Sequence, residues 1–269
     1  MHAPLVSIIT PAYNSATTLR ETADSVFAQT HALWEWIIVD NGSTDDTANI
    51  LSEIQKHAQV KVIQLEENLG VSGGRNEGLE AASGAFICFV DADDRLPKDS
   101  LSSRIKVMEA RPEIDFVDGV VRRIDAIGNE IGIQQPEFEG RVLEELLSLS
   151  GKCFIGITWM IRRKEGVRYQ FNPSIHHAED LLFFLSIAGK GLYTHVSDVV
   201  YEYRARKGSA MSDLLGLEKG YAAVEKEIKS WPQVSIEQAK AFHRKWRTIM
   251  IKSYLKEGHV NDALRLKLH

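Results

Sequence analysis

Four short runs of apolar residues, at 6–10, 36–39, 60–65 and 85–90, are separated by stretches of helical periodicity. Residues 15–29 carry Leu19, Ala23, Val26 and Phe27 at helical spacing. Residues 45–57 place Ala48, Leu51 and Ile54 on one helical face, and 72–82 predict a short third helix. An apolar run without polar alternation is a strand buried on both faces. Strands of that kind between amphipathic helices build a parallel sheet covered on both sides. Ligands of such sheets bind beyond the C-terminal tips of the strands, so those tips are where chemistry is expected.

Beyond residue 98 the alternation loosens. Helices are predicted at 101–108, 142–149 and 181–188, strands at 116–124, 154–162 and 192–203, and a turn at 125–130. From Leu214 onward the pattern is helical with one break at Trp231-Pro232. Without repeats or a low-complexity linker, 269 residues suit one α/β domain, residues 1–210, carrying a helical C-terminal appendage, 211–269. An apolar content of 44% and a charged content of 26% exclude disorder. The cysteines, Cys88 and Cys153, lie in apolar stretches with no metal-ligand spacing, which fits a reducing compartment. The N-terminal residues show no basic region of an export signal, and apolar runs reach only about six residues against roughly 20 for a membrane span. A cytoplasmic protein is expected. The net charge of −5 argues against a general nucleic-acid binder.

Five polar clusters fall where the loops should be. Thr10-Pro-Ala-Tyr-Asn14 follows the first strand, and Asp40-Asn-Gly-Ser-Thr-Asp-Asp-Thr47 the second. Ser43 or Thr44 would cap the next helix, with Asp45 and Asp46 in its first turn. Capping leaves Asp40, at a strand tip, unexplained, and points to a ligand contact there. Asn68-Leu-Gly-Val-Ser-Gly-Gly-Arg-Asn-Glu-Gly78 is glycine-rich but matches neither a dinucleotide fingerprint nor a P-loop. Its Arg75 reads equally as a ligand contact or a solvated surface residue. Phe89-Val-Asp-Ala-Asp-Asp94 closes the fourth strand with three converging carboxylates, whose repulsion a hard cation would relieve. Mg²⁺ or Mn²⁺ takes one or two carboxylates and completes its shell with phosphate oxygens and water. Helix capping would account for Asp94 alone. His176-His-Ala-Glu-Asp180 opens an apolar helix; its carboxylates are either helix-terminal charge compensation or a general base. His176 and His177 are metal-shell or acceptor-site candidates, or plain loop residues.

In this order the clusters resemble the family 2 glycosyltransferases, inverting sugar-nucleotide enzymes of GT-A fold. The resemblance covers about residues 4–205. The stretch Tyr201-Glu-Tyr-Arg204 with Ser209-Ala-Met-Ser212 is similar to the family's Tyr-x-Tyr-Arg and Ser-x-x-Ser segments, and Gly74 stands where alanine is more usual. It implies a mostly parallel Rossmann-like sheet flanked by helices, with residues 1–98 as the nucleotide-binding half and 99–210 as the acceptor-side half. It also implies that Thr10, Pro11, Tyr13, Asp40 and Arg75 hold the nucleotide base and that Asp91 meets the ribose. Asp93, with Asp94 beside it, would hold Mn²⁺ or Mg²⁺. Asp180 would deprotonate the acceptor with Glu179 nearby, and Arg204, Ser209 and Ser212 would lie on a loop over the donor. The implied reaction moves a hexose-type sugar from a nucleotide donor, UDP by expectation, to a saccharide or lipid-linked saccharide in bacterial surface-polysaccharide synthesis.

Two other function classes use similar parts. A sugar-1-phosphate nucleotidyltransferase needs a glycine-rich first loop with Arg and Lys, where this chain has Thr-Pro-Ala-Tyr-Asn. A non-catalytic nucleotide-sugar-binding subunit would keep Asp40 and the Asp91–Asp94 cluster but has no use for Asp180. Charge is distributed unevenly. From Lys240 onward eight basic residues face only Glu257 and Asp262, a net +6, which leaves −11 for residues 1–239. Residues 235–257 read as a helix packing an apolar stripe on the domain with solvated cations outside. The same cations would suit peripheral contact with an anionic leaflet at the inner face of a membrane.

Overall fold

The computed structural model describes residues 3–206 and 212–268. Its strands are β1 (Val6–Ala12), β2 (Trp34–Asp40), β3 (Val60–Gln64), β4 (Phe86–Phe89), β5 (Phe116–Ile124), β6 (Glu130–Gln134), β7 (Gly140–Arg141), β8 (Met160–Arg162) and β9 (Leu192–Arg204). Its helices are α1 (Leu19–Phe27), α2 (Thr47–Ile54), α3 (Gly70–Ala81), α4 (Ser100–Ala110), α5 (Val142–Ser148), α6 (Glu179–Ala188), α7 (Leu214–Ile228), α8 (Ile236–Lys256) and α9 (Val260–Leu268). The strands form one sheet in the order β3-β2-β1-β4-β8-β5-β9-β7, with β6 paired to β5. Strands β3, β2, β1 and β4 are parallel, β8 runs antiparallel to both its neighbours, and β5 and β9 are parallel again. The mixed α/β fold expected from the alternation is present.

The unbroken apolar runs follow from burial on both faces. Ile8, Trp36, Ile38 and Cys88 point to a core closed by α1, α2 and α4, while Ile9, Ile37, Val39 and Phe89 point to the opposite core. That second core takes in α5 and α6 and continues without a gap into α7, α8 and α9 through Val224, Phe242, Trp246, Met250 and Leu266. The register pairs Ala12 with Asp40, so the β1 and β2 tips lie side by side.

Two expectations need correction, and one strand was not foreseen. The 154–162 run pairs as a strand only at Met160–Arg162. Before it the chain is irregular, with the Trp159 indole donating to the Cys153 carbonyl, and Ile157 buried in packing rather than pairing. The C-terminal helical region breaks twice, the second time at Gly258, whose φ of +80° is the left-handed geometry that ends a helix. The expected 125–130 turn is present and leads into β6, the unforeseen strand, although Ile131 and Ile133 alternate in it; both are about half exposed at the sheet margin.

Candidate active site

Four loops converge beyond the tips of β1, β2 and β4. The first two are tied together. Asn14 adopts a left-handed φ of +47°, its Oδ1 accepts the Thr44 N–H at 2.8 Å, and its own N–H donates to Ser43 Oγ at 3.0 Å. Asp45 Oδ1 accepts the Thr47 N–H at 3.0 Å and Oδ2 the Ala16 N–H at 3.2 Å. Helix α2 therefore begins at Thr47, and the expected Ser43 or Thr44 cap is replaced by this cross-tie. Asp40 is 5% exposed and accepts the Ser43 N–H at 3.1 Å. It lines a cleft of about 400 Å³ with Gly42, Ser43, Gln64 and Glu66. Gly42 has a φ of +73°, and a Cβ there would lie 2.8 Å from the Glu67 carbonyl carbon, so the cleft floor requires glycine. Tyr13, on the loop after β1, is 47% exposed. Pro11 lies half-buried on β1, beneath Gly74. The Thr10 hydroxyl is instead fully buried and accepts from the Trp36 indole at 2.8 Å. Strand alternation turns that side chain into the core and away from the cleft.

Arg75 is not on the surface. Its side chain is 4% exposed, packs 5.3 Å above the Phe171 ring centre and bridges two loops. Nη2 donates to Asp91 Oδ1 at 2.9 Å and Oδ2 at 3.2 Å; Nη1 donates to Glu179 Oε1 at 3.0 Å. Burial works against the guanidinium charge, but Asp91 and Glu179 outweigh it and hold its pKa up. The geometry thus makes Arg75 a link between the β4 tip and the start of α6, with no direct place in the Asp40 cleft.

Asp180 follows Glu179 on the first turn of α6. Burial foremost, then the neighbouring Glu179 charge, push its carboxyl up to about 7, while Arg75 and the Leu181 N–H, 2.8 Å from Oδ1, oppose the rise. The backbone just before it is strained: Ala178 is held at φ +59°, a left-handed conformation uncommon without glycine. His177 pairs through Nε2 with Asp213 at 3.3 Å and abuts α7, where a side chain at Gly220 would collide with its carbonyl. His176 is exposed beside Gly70.

The three carboxylates of the β4 tip have separate surroundings. Asp91 is turned to Arg75. Asp93 remains partly exposed, with Oδ2 2.9 Å from Arg206. Asp94 is 2% exposed, accepting the Arg204 N–H at 2.7 Å and the Tyr201 hydroxyl at 2.9 Å, and burial next to Asp91 raises it to about 8. Asp94 is thus directed away from a cation beside Asp93, and it fastens the turn to β9 instead. Arg204 does the same from the other side. Its Nε donates to the Asp93 carbonyl at 2.9 Å, Nη1 to the Ala126 carbonyl at 2.8 Å and Nη2 to Glu21 at 2.6 Å. With every nitrogen engaged, Arg204 is a clamp beneath the turn and not a free arm over a donor. Ser209 lies outside the described residues. Ser212 borders a second cavity, of about 630 Å³, with Asp213, Tyr254, Glu257, His259 and Asp262. Among the described residues no group of three His, Cys, Asp or Glu side chains is set to hold a metal.

Sequence reasoning missed Asn41 and Arg206 and gave Tyr201 no task. Asn41 is 3% exposed; it donates to Asn68 Oδ1 and the Gly70 carbonyl and accepts the Leu69 N–H, all at 2.9 Å. It fixes the entrance of α3 to the β2 tip. Its signal was available: a buried amide directly after a strand-tip aspartate. Tyr201 accepts the Asp91 N–H at 3.2 Å while donating to Asp94.

The model of glycosyl transferase family 2 matches residues 7–166. TuaG of Bacillus subtilis strain 168, named for teichuronic acid biosynthesis, is 34% identical over 84% of this chain and 89% of its own length. WfaP of Escherichia coli is named a UDP-Glc:α-D-GlcNAc-diphosphoundecaprenol β-1,3-glucosyltransferase. It is 31% identical over 78% of this chain and 80% of its own. Residues 1–349 of Staphylococcus aureus TarS, solved with UDP-GlcNAc, superpose with a TM-score of 0.71 over 90% of this chain and 71% of that one at 22% identity.

Proposed function

The chain belongs to glycosyl transferase family 2 and is a glycosyltransferase of GT-A fold, and on that premise we propose that it transfers a hexose-type sugar from a UDP donor, with inversion, to a hydroxyl of a saccharide or lipid-linked saccharide in bacterial surface-polysaccharide assembly. The observation that supports this reading is Asp180, raised to about 7 and next in the chain to Glu179, which Arg75 ties to Asp91 of the β4 tip. A general base is most effective when its pKa lies near the working pH. The names of TuaG and WfaP support the pathway class, and that of WfaP the uridine donor and the lipid-linked acceptor.

Each residue then has a task. Tyr13 stacks on the uracil, and Asp40 accepts from its imide N–H at the floor of the cleft. Asp91, held by Arg75, meets the ribose. Asp180 takes the proton as the acceptor hydroxyl attacks the anomeric carbon; one displacement turns an α-linked donor into a β-linked product. Glu179 shares Arg75 and keeps the base helix in place. The Asp93 carboxylate, partly exposed and paired with Arg206, fits Mg²⁺ or Mn²⁺ as a single oxygen ligand, since such an ion takes few protein ligands when phosphates and water complete its shell. Held there, the ion would supply Lewis-acid neutralisation of the leaving diphosphate. Arg206, 2.9 Å from Asp93, offers a second positive charge to the same oxygens. Peripheral contact with an anionic inner leaflet through the basic α8 belongs to the same reading, since it would bring the site to a lipid-linked acceptor.

Transfer from radiolabelled UDP-sugars, after a thermal-shift panel with Mn²⁺ to find the donor, tests the proposal. Asp180→Asn retains shape and cannot take a proton. Its kcat should fall roughly 10²–10⁴-fold with donor affinity nearly unchanged. Near-normal turnover would remove Asp180 from the role.

A further inference from the structure

We propose that α9, with the C-terminal half of α8, is an interfacial docking element whose apolar stripe seats in an anionic lipid bilayer. Val260, Leu264 and Leu268 recur at i, i+4 and i+8 and therefore share one side of α9, and they are 52%, 50% and 82% exposed. Leu255, just before the Gly258 turn, is 53% exposed. The helix already buries Ala263 and Leu266 elsewhere on its surface. It thus has more apolar surface than the fold covers. Single exposed leucines are ordinary on a protein surface. A row of them along one terminal helix is a contact surface.

Charge identifies the occupant. Lys252 and Lys256 on the C-terminal half of α8 and Lys267 on α9 are exposed and have no ion-pair partner among the described residues, and Arg244 and Lys245, likewise unpaired, lie about two turns earlier on α8. The neighbouring cations are engaged within the fold: Arg265 with Glu218, Lys240 with Glu237, and Arg247 with the Leu266 carbonyl. An apolar stripe beside free cations is the composition of helices that lie in a membrane interface. A second copy of this chain is disfavoured as the occupant, because a two-fold contact would bring two +6 tails together. No described helix is long and apolar enough to cross a membrane, so the contact is peripheral. The inference rests on the lipid-linked acceptor of the proposed function, and it adds the anchor, which is apolar seating by α9 and not charge alone.

Co-sedimentation of the full chain with phosphatidylcholine vesicles, with and without phosphatidylglycerol, tests it at low and high salt. Binding to anionic vesicles should exceed binding to neutral ones at least tenfold and should weaken with salt without vanishing. Leu264→Glu with Leu268→Glu should lower it tenfold or more at both salt levels. Lys252→Glu with Lys256→Glu should lower it mainly at low salt. Ile127→Glu, on the exposed 125–130 turn, should leave it unchanged. Loss of vesicle binding in the leucine pair with the Mn²⁺–UDP thermal shift intact supports the anchor. No binding at low ionic strength, or binding indifferent to the leucine pair, overturns it. So does a wild-type dimer in light scattering that the leucine pair dissolves without vesicle binding. Vesicle binding in a protein that transfers no sugar would sink the proposed function and leave the anchor standing.

Discussion

Replacing Arg75 with methionine separates two meanings of that residue. If it holds the nucleotide base, as the sequence resemblance implies, its loss raises KM for the donor and leaves the pH dependence of kcat alone. If it works through the bridge described above, the outcome differs. Asp91 and Glu179 lose the buried cation that they share, and Asp180 beside them loses its electrostatic influence. Asp180 sits at about 7 with Arg75 among the groups holding it down. Removing that influence should lift it by about one unit or more, a differential of about 1.4 kcal/mol per unit. At pH 7.5 the ionised fraction would fall from roughly three-quarters to about one-quarter, threefold in rate from protonation alone. Misplacement of Glu179 adds to that loss. Stability should drop by about 3 kcal/mol, the lower end for breaking a buried pair, because Asp91 can still reach solvent. The assay is kcat against pH from 5.5 to 9.5, with urea unfolding alongside. The acid limb should move from near 7 toward 8 or above, and Arg75→Lys should fall between, retaining charge but not the two-pronged geometry. An unshifted limb with a raised donor KM would refute the bridge and restore the base-binding role.

Asp93→Ala should abolish Mn²⁺-dependent UDP binding by calorimetry while Asp94→Asn leaves most of it, since Asp94 faces Arg204 and Tyr201; equal losses would return Asp94 to the metal site. Full activity in EDTA would remove the cation altogether. Asp118 on β5 is fully buried, its Oδ1 lacks a partner among the described residues, and burial raises its carboxyl to about 6. Unfolded, it titrates near about 3.9, so the fold is unpenalised below that pH. As pH climbs from about 4 to 6 the fold loses up to about 3 kcal/mol, a loss that stays constant above. Asp118→Asn cannot ionise. It should therefore gain stability relative to wild type between pH 4 and pH 7 in urea melts, and a pH-independent difference would contradict this account. Gly42→Ala should cost at least about 1–2 kcal/mol from the left-handed backbone alone and weaken UDP binding, visible in thermal melts with and without ligand.

Periodicity made the parallel half legible, because strands buried on both faces cannot hide: the 36–39 and 85–90 runs are β2 and β4 to within two residues. It failed at 154–159, where apolar residues pack without pairing, since hydrophobicity reports burial and not hydrogen bonding. Likewise, strand tips with carboxylates were visible as places of chemistry. Direction was not. Asp93 and Asp94 are adjacent in sequence and identical in type, yet one faces outward and the other takes two hydrogen bonds inside. Arg75 needed a partner 104 residues away, Glu179, before its role could be read.

The continuity of the second core bears on how such enzymes can be recombined. Phe183 and Phe184, on the helix that Glu179 and Asp180 open, share that core with Phe242, Trp246 and Met250 of the C-terminal helices. The segment that varies most in sequence-based expectation is therefore mechanically joined to the most constrained one. A chimera that exchanged the tail of one such enzyme for that of another at residue 211 would inherit mismatched side chains directly behind Asp180. Grafting the C-terminal helices would then require the α6 face that carries Phe183 and Phe184 to travel with the graft, as one heritable unit.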